Sequence, residues 1–152
     1  NINKENHPSR AQQIIKENDI LFGTTRPLLK RFCIVPIEYH NQICSTGYCV
    51  LRTKDKLNNK FLYYLLQMRE FETYCQNNQV EGNYPSISDS KIKEFKIPLL
   101  PLSTQEKIVE VLDNFDKVCN DLKIGLPAEI EARKQQYKYY RDKLLTFKRK
   151  EE

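Results

Sequence analysis

Along the first fifty positions, apolar residues come in short runs separated by turn-forming residues. Ile20-Leu21-Phe22 is one such run, closed by Gly23-Thr24-Thr25-Arg26-Pro27, and it predicts a buried strand ending in a turn. Phe32 to Ile37, broken by Pro36, predicts a second strand, and Ile43 to Arg52 a third. The stretch before them, Asn1 to Glu17, is polar and carries no strong strand pattern. From Asn58 the period changes. Phe61, Leu62, Leu65, Leu66 or Met68, Phe71 and Cys75 recur at three- and four-residue steps behind the cap-forming Asn58-Asn59, which predicts one amphipathic helix of roughly 18 residues packed on the strands. A loop from Asn77 to Ser86 with Gly82 and Pro85 follows, then a helical turn around Asp89 to Lys93 and a strand from Glu94 to Leu100.

The pattern beyond Pro101 is of another kind. Ser103-Thr104-Gln105-Glu106 has the form of a capping box, in which Ser103 and Glu106 would satisfy each other's backbone amides. Behind it Ile108, Val111, Phe115, Val118 and Leu122 step by 3, 4, 3 and 4 residues, the spacing of a coiled-coil seam. Gly125-Leu126-Pro127 interrupts, and Ile130, Arg133, Tyr137, Tyr140, Leu144 and Phe147 resume the same alternation. A continuous helix from Ser103 to Lys148 would be about 70 Å long, more than one small core can cover. The tail therefore needs a partner helix. The expected fold class is an α/β (α+β) globular domain over residues 1–101, followed by a long coiled-coil-type helical region over residues 102–152.

Composition limits what these elements can be. A chain of 152 residues can bury about 70% of its unfolded surface without disulfides or a metal. The five cysteines are odd in number, lie in apolar surroundings and are accompanied by only two histidines, His7 and His40. That usage fits reduced core thiols of a cytosolic protein and predicts no metal site. No window approaches the roughly 18 consecutive apolar residues of a membrane span, and no secretory pattern opens the chain, so a soluble cytoplasmic protein is expected. The first residue is Asn1 rather than Met, which predicts a start inside a larger product or domain.

Charge adds a direction. The net charge of +5 suits an anionic partner, and it is unevenly distributed: +4 over residues 1–57, 0 over 58–102, −2 over 103–127 and +3 over 128–152. The last two values set opposite charges on the two halves of the helical tail.

The sequence offers no complete catalytic constellation. The phosphate-binding, dinucleotide-binding and nucleophile-elbow glycine patterns are missing. Asn83-Tyr84-Pro85-Ser86 imitates an amino-methyltransferase motif in the wrong order, with no glycine-rich cofactor strand before it. Asp89 with Glu94-Phe95-Lys96 imitates a nuclease metal site, but only four residues separate the two acids. No catalytic residue, cofactor or metal is therefore expected, which leaves a binding protein.

Three segments carry a resemblance: Asp19 to Arg31, Ile43 to Arg52 and Tyr84 to Ile92. In order, they resemble the second half of a target recognition domain from the specificity subunit of type I restriction-modification enzymes. The run Ile97 to Ile108, with Gly125 to Ile130 and Gln136 to Arg141, resembles that family's conserved helical region. The resemblance implies a non-catalytic subunit that reads duplex DNA and scaffolds methyltransferase subunits, and through them the restriction subunit. A full specificity subunit has two recognition domains and paired helical regions, whereas this sequence offers one partial domain and one helical region. It is either a fragment or a half-subunit that rebuilds the arrangement by dimerising. A structural helical adaptor without DNA readout of its own is the other class of function left open.

Charge and chemistry place the DNA on two loops. Thr24, Thr25, Arg26, Lys30 and Arg31 lie on a turn in the basic first part, where arginine can address guanine edges and lysine can address phosphates. Gln79, Asn83 and Tyr84 bring amide and phenol groups on the second loop. For the tail the preferred arrangement is an antiparallel homodimer about a two-fold near Gly125. It would bury Ile108, Val111, Phe115, Val118, Leu122, Ile130, Tyr137, Tyr140 and Leu144 between two kinked helices. Its rival is a hairpin within one chain, because Gly125 can end a helix and Pro127 can start the next.

Overall fold

A computed structural model of the protein describes residues 9–121 and 127–147. Among the described residues five short strands are present: β1 (Ala11–Ile14), β2 (Ile20–Gly23), β3 (Phe32–Ile34), β4 (Ile43–Ser45) and β5 (Tyr48–Leu51). Five helices follow: α1 (Asn59–Leu65), α2 (Arg69–Asn78), α3 (Asp89–Lys93), α4 (Leu102–Asp121) and α5 (Pro127–Leu145). The fold is mixed α and β, as expected. All strand pairs are antiparallel, in one sheet of order β3-β2-β5 and a separate β1-β4 pair. Strand β2 is central because Ile20 and Phe22 put their side chains into the core while its backbone is paired on both edges. The buried carboxylate of Asp19, just before β2, takes a two-pronged bond from Arg52 at 2.7 and 2.6 Å and the Lys16 amide at 2.7 Å. That network ties the start of β2 to the end of β5.

Two strand expectations change. The run Ile43 to Arg52 is two strands rather than one, divided at Thr46-Gly47, where the Gly47 amide donates to Ser45 Oγ at 3.1 Å and turns the chain from one sheet to the other. The opening stretch, read as polar and unpatterned, supplies β1. Its weak local preference is overridden by pairing with β4, in the register Ile14 opposite Ile43.

The single long helix expected from Asn58 is two. Asn58 caps α1 by accepting the Phe61 amide at 3.1 Å, but the chain tightens at Leu66–Met68, where the Gln67 and Met68 amides bond three residues back. Met68 is extended, and α2 starts afresh. The break has a packing cause. Leu62, Leu66, Phe71 and Cys75 face the sheet, whereas Phe61, Tyr64, Leu65 and Met68 face the C-terminal helices, and one straight helix cannot bury both rows.

The expected strand from Glu94 to Leu100 is absent. This segment runs unpaired between α3 and α4, anchored by Phe95 against Phe71 and Tyr74 with ring centroids 5.0 and 5.1 Å apart. Pro98 and Pro101 remove the amides that a strand would need. The helical turn around Asp89 is present as α3, capped by Ser88.

The tail departs most from expectation. Helix α4 begins at Leu102, and the Pro101 carbonyl accepts the Thr104 and Gln105 amides, which places Ser103 inside the first turn and not at a cap. The face that meets the body is Gln105, Val109 and Leu112, one residue out of step with the predicted seam. Helix α5 returns antiparallel to α4. Leu145 joins Leu112 in the second core, and Tyr140 stacks on Phe115 at 6.1 Å. The long kinked helix awaiting another chain is thus replaced by a hairpin, with the partner helix supplied by the same chain. Opposite charges favour it, since α4 carries two basic and five acidic residues and α5 five basic and three acidic. Of the seam residues, Ile108 and Tyr137 flank the second core, while Val111, Tyr140 and Leu144 stay exposed. Leu122, Gly125 and the side chain of Val118 lie outside the described residues.

Candidate nucleic-acid interface

The first candidate loop leaves β2 through Gly23 and makes one 3-10 turn, Pro27–Leu29, flanked by Arg26 and Lys30. Both flanking residues have left-handed backbones, with φ of 51° and 52°. A non-glycine residue held there costs of order 1–3 kcal/mol, and must be held by its surroundings. The hold is visible. The Arg26 amide donates to the Pro85 carbonyl at 2.6 Å, the Leu29 amide to the Arg26 carbonyl at 3.0 Å, and the Gly23 amide to the Arg31 carbonyl at 2.7 Å. Gly23 lets the two strands pass closely at this crossing, where an added Cβ would meet Arg31 Cβ and the Arg31 carbonyl at a tight 3.3 Å.

The second loop closes on itself between Val80 and Ser86, whose amides and carbonyls exchange bonds of 2.7 and 3.1 Å. Gly82 turns its tip with φ 155°. Ser86 also bridges Thr25, and the Ile87 amide donates to the Thr24 carbonyl at 3.0 Å. Two loops about sixty residues apart in sequence are thereby joined along their backbones. At the surface of the junction the Arg26 guanidinium lies over the Tyr84 ring, 4.7 Å from its centroid.

The eight predicted contact residues sort by availability. Arg26, Asn83 and Tyr84 are exposed, with Tyr84 at 70%. Lys30 is paired with Glu72 of α2 at 2.7 Å, and Arg31 gives an Nη2 hydrogen to the Thr25 carbonyl at 2.5 Å. Thr24 is buried, its hydroxyl donating to the Gly47 carbonyl at 3.0 Å. Gln79 turns its Oε1 inward, where it has no hydrogen-bond partner among the described residues. The sequence did not point to Glu72, Gly47 or the Pro85 carbonyl. Each acts through a main-chain group or a single ion pair, which leaves no pattern along the chain.

Thiolate chemistry is not favoured at the two buried cysteines. Burial pushes the Cys49 and Cys75 thiols up to about 12, far from the thiolate range. Among the described residues, no group of three His, Cys, Asp or Glu side chains is placed to hold a metal ion, and no helix is long and apolar enough to cross a membrane.

The sequence profile of the type I restriction modification DNA specificity domain matches residues 1–132. The chain belongs to that family. It is 39% identical over 92 residues to the EcoR124I/EcoR124II specificity subunit of Escherichia coli, which covers 60% of this chain and 23% of that protein. Against the MpnII specificity subunit of Mycoplasma pneumoniae it is 39% identical over 99 residues, 64% of this chain and 29% of that one. The fold agrees. The crystal structure of the HsdS subunit from Thermoanaerobacter tengcongensis superposes with a TM-score of 0.66 at 33% identity, covering 75% of this chain and 30% of that one. A chain from a structural study of complex assembly and conformational transition in the type I R-M system reaches 0.70 at 30% identity, covering 86% and 33%. This member of the specificity family thus spans about a third or less of these relatives.

Proposed function

We propose that this chain is a non-catalytic DNA-recognition unit of a cytoplasmic type I restriction-modification system. It binds duplex DNA through the joined loops at Arg26 and Tyr84 and carries methyltransferase subunits on its helical hairpin. The observation that carries this reading is the convergence of the two loops in a chain of the specificity family, with an unneutralised arginine at their junction. The division of labour follows the sequence, with residues 1–101 for recognition and 102–152 for assembly. The experiment is titration of the chain with duplex DNA at increasing salt. Affinity should fall by about 0.9 log units per log unit of salt for each phosphate neutralised. Binding indifferent to salt removes the phosphate contacts, and no binding beside intact association with methyltransferase subunits returns the chain to the class of helical adaptors.

A homodimer belongs to the same reading. Val111, at 43% exposure, and Phe115 border a cleft of about 370 Å³ between α4 and α5, with Tyr140 and Leu144 exposed further along α5. A second copy docked antiparallel on this face would cover the seam residues that the hairpin leaves open. Light scattering distinguishes the states, and a particle of 18.1 kDa at every concentration rules the dimer out.

A further inference from the structure

We propose that Arg26 and Tyr84 form a preassembled guanine-reading pair, in which Arg26 contacts the base and Tyr84 is the residue that positions it. The inference rests on the DNA-binding reading above and adds the base class and the division of roles.

Three cations occupy the first loop, and two are already engaged. Lys30 is paired at the surface with Glu72 at 2.7 Å, and Arg31 is turned back onto the Thr25 carbonyl. Neither arginine pairs with a carboxylate among the described residues, but where Arg31 spends an N–H on a carbonyl, Arg26 spends none there and rests its guanidinium on the Tyr84 ring. A ring face attracts the cation through the quadrupole and uses none of the five N–H donors, so the fork keeps its hydrogen-bonding capacity for a ligand. The backbone sets the aim. Arg26 is held left-handed by bonds at both its amide and its carbonyl, and the amide bond goes to Pro85, the neighbour of Tyr84. Arginine and ring are therefore locked to each other through the main chain, one residue from the contact. A fork restrained in this way matches the O6 and N7 acceptors of guanine, which lie side by side in the major groove. A phosphate contact needs only a nearby positive charge, which Lys30 would supply without its partner Glu72.

The test is selection of bound duplexes from a pool with a randomised core, using the full chain, followed by titration of the best duplex and its single-base-pair variants. The wild type should discriminate at one G·C pair by on the order of 10- to 100-fold. Arg26→Met keeps the length but removes every donor and should lose that preference at that pair alone, with discrimination at the remaining positions unchanged. Tyr84→Leu should weaken the same preference and Tyr84→Phe should retain it, a pattern that loss of fold would not produce at a residue this exposed. Preference unchanged in Arg26→Met, or lost evenly at all positions, overturns the guanine role. Equal behaviour of Tyr84→Leu and Tyr84→Phe overturns the positioning role. DNA retained without any enriched sequence overturns this inference while leaving DNA binding in place, whereas no retained DNA overturns both.

Discussion

Two junctions in this molecule join segments far apart in sequence, and they are built in opposite ways. At the loop junction the adhesion is main-chain: Arg26 to Pro85, Ile87 to Thr24, Ser86 against Thr25 and Val80. At the junction of the body with the tail the adhesion is side-chain. Gln105 is fully buried, with its Nε2 donating to the Lys56 and Leu100 carbonyls at 3.0 and 2.7 Å and its Oε1 accepting the Asn58 amide at 2.8 Å. Phe61, Tyr64, Val109, Leu112 and Leu145 close around it. Cohesion carried by the backbone leaves the side chains of the loop junction free. At the tail joint the side chains are consumed in holding it together.

The contrast is broken most severely at the tail. Phe61→Ala removes a fully buried ring from the second core and should cost about 3–5 kcal/mol in chemical denaturation, a large part of the total stability of a domain this size. A cost below about 1 kcal/mol would mean that the tail does not pack on α1. Gln105→Leu comes next. It keeps the volume but strands the Asn58 amide and two carbonyls, for a loss of about 2–3 kcal/mol by the same measurement.

The loop should answer in the other direction. Arg26→Gly relieves a left-handed backbone and removes no buried contact, so stability should rise by about 0.5–1 kcal/mol while DNA affinity falls. A destabilised Arg26→Gly would show that its side chain serves the fold. The smallest effect is a pH dependence at the tail joint. Burial raises the Asp113 carboxyl, but the Lys60 ammonium and the Tyr64 hydroxyl, each 2.6 Å away, outweigh it and hold the group below its ordinary value of 3.8. A depressed carboxylate contributes stability that is present above the unfolded value and is lost as pH falls through the folded one. Asp113→Asn should therefore flatten the stability profile below about pH 4 and leave its slope near neutrality unchanged.

The sequence made legible what local physics decides. The apolar pair Ile20 and Phe22, the Asn58 cap, the turn at Asp89 and the change of character at Pro101 all appear where the pattern places them. What it concealed was decided by contacts between distant segments. The break at Leu66–Met68 is invisible in a row of apolar residues that serves two cores, and Gln105 looked like part of a solvated cap because its partners, Lys56, Asn58 and Leu100, lie on the body. The tail's rows were one residue out of register because Ile108, Val111 and Phe115 form an unbroken apolar row, whereas the neighbouring row that is buried against the body, Val109 and Leu112, is headed by the polar Gln105. At the candidate interface, charge pointed to the first loop as a whole. It did not distinguish Arg26 from Lys30 and Arg31, whose partners come from folding.

The bend between α1 and α2 has a consequence for how the molecule opens. One continuous stretch of chain lines both cores, with α1 turned to the tail and α2 reaching the first loop through Glu72. Neither core can come apart without exposing part of this shared stretch, so the two act as a single cooperative unit in hydrogen exchange. Amides of α1 and α2 should exchange at one common rate set by global unfolding, while the tips at Leu28 and Glu81–Asn83 exchange freely. The platform beneath the two loops, and the main-chain bonds that join them, then stay rigid while only the outermost residues move.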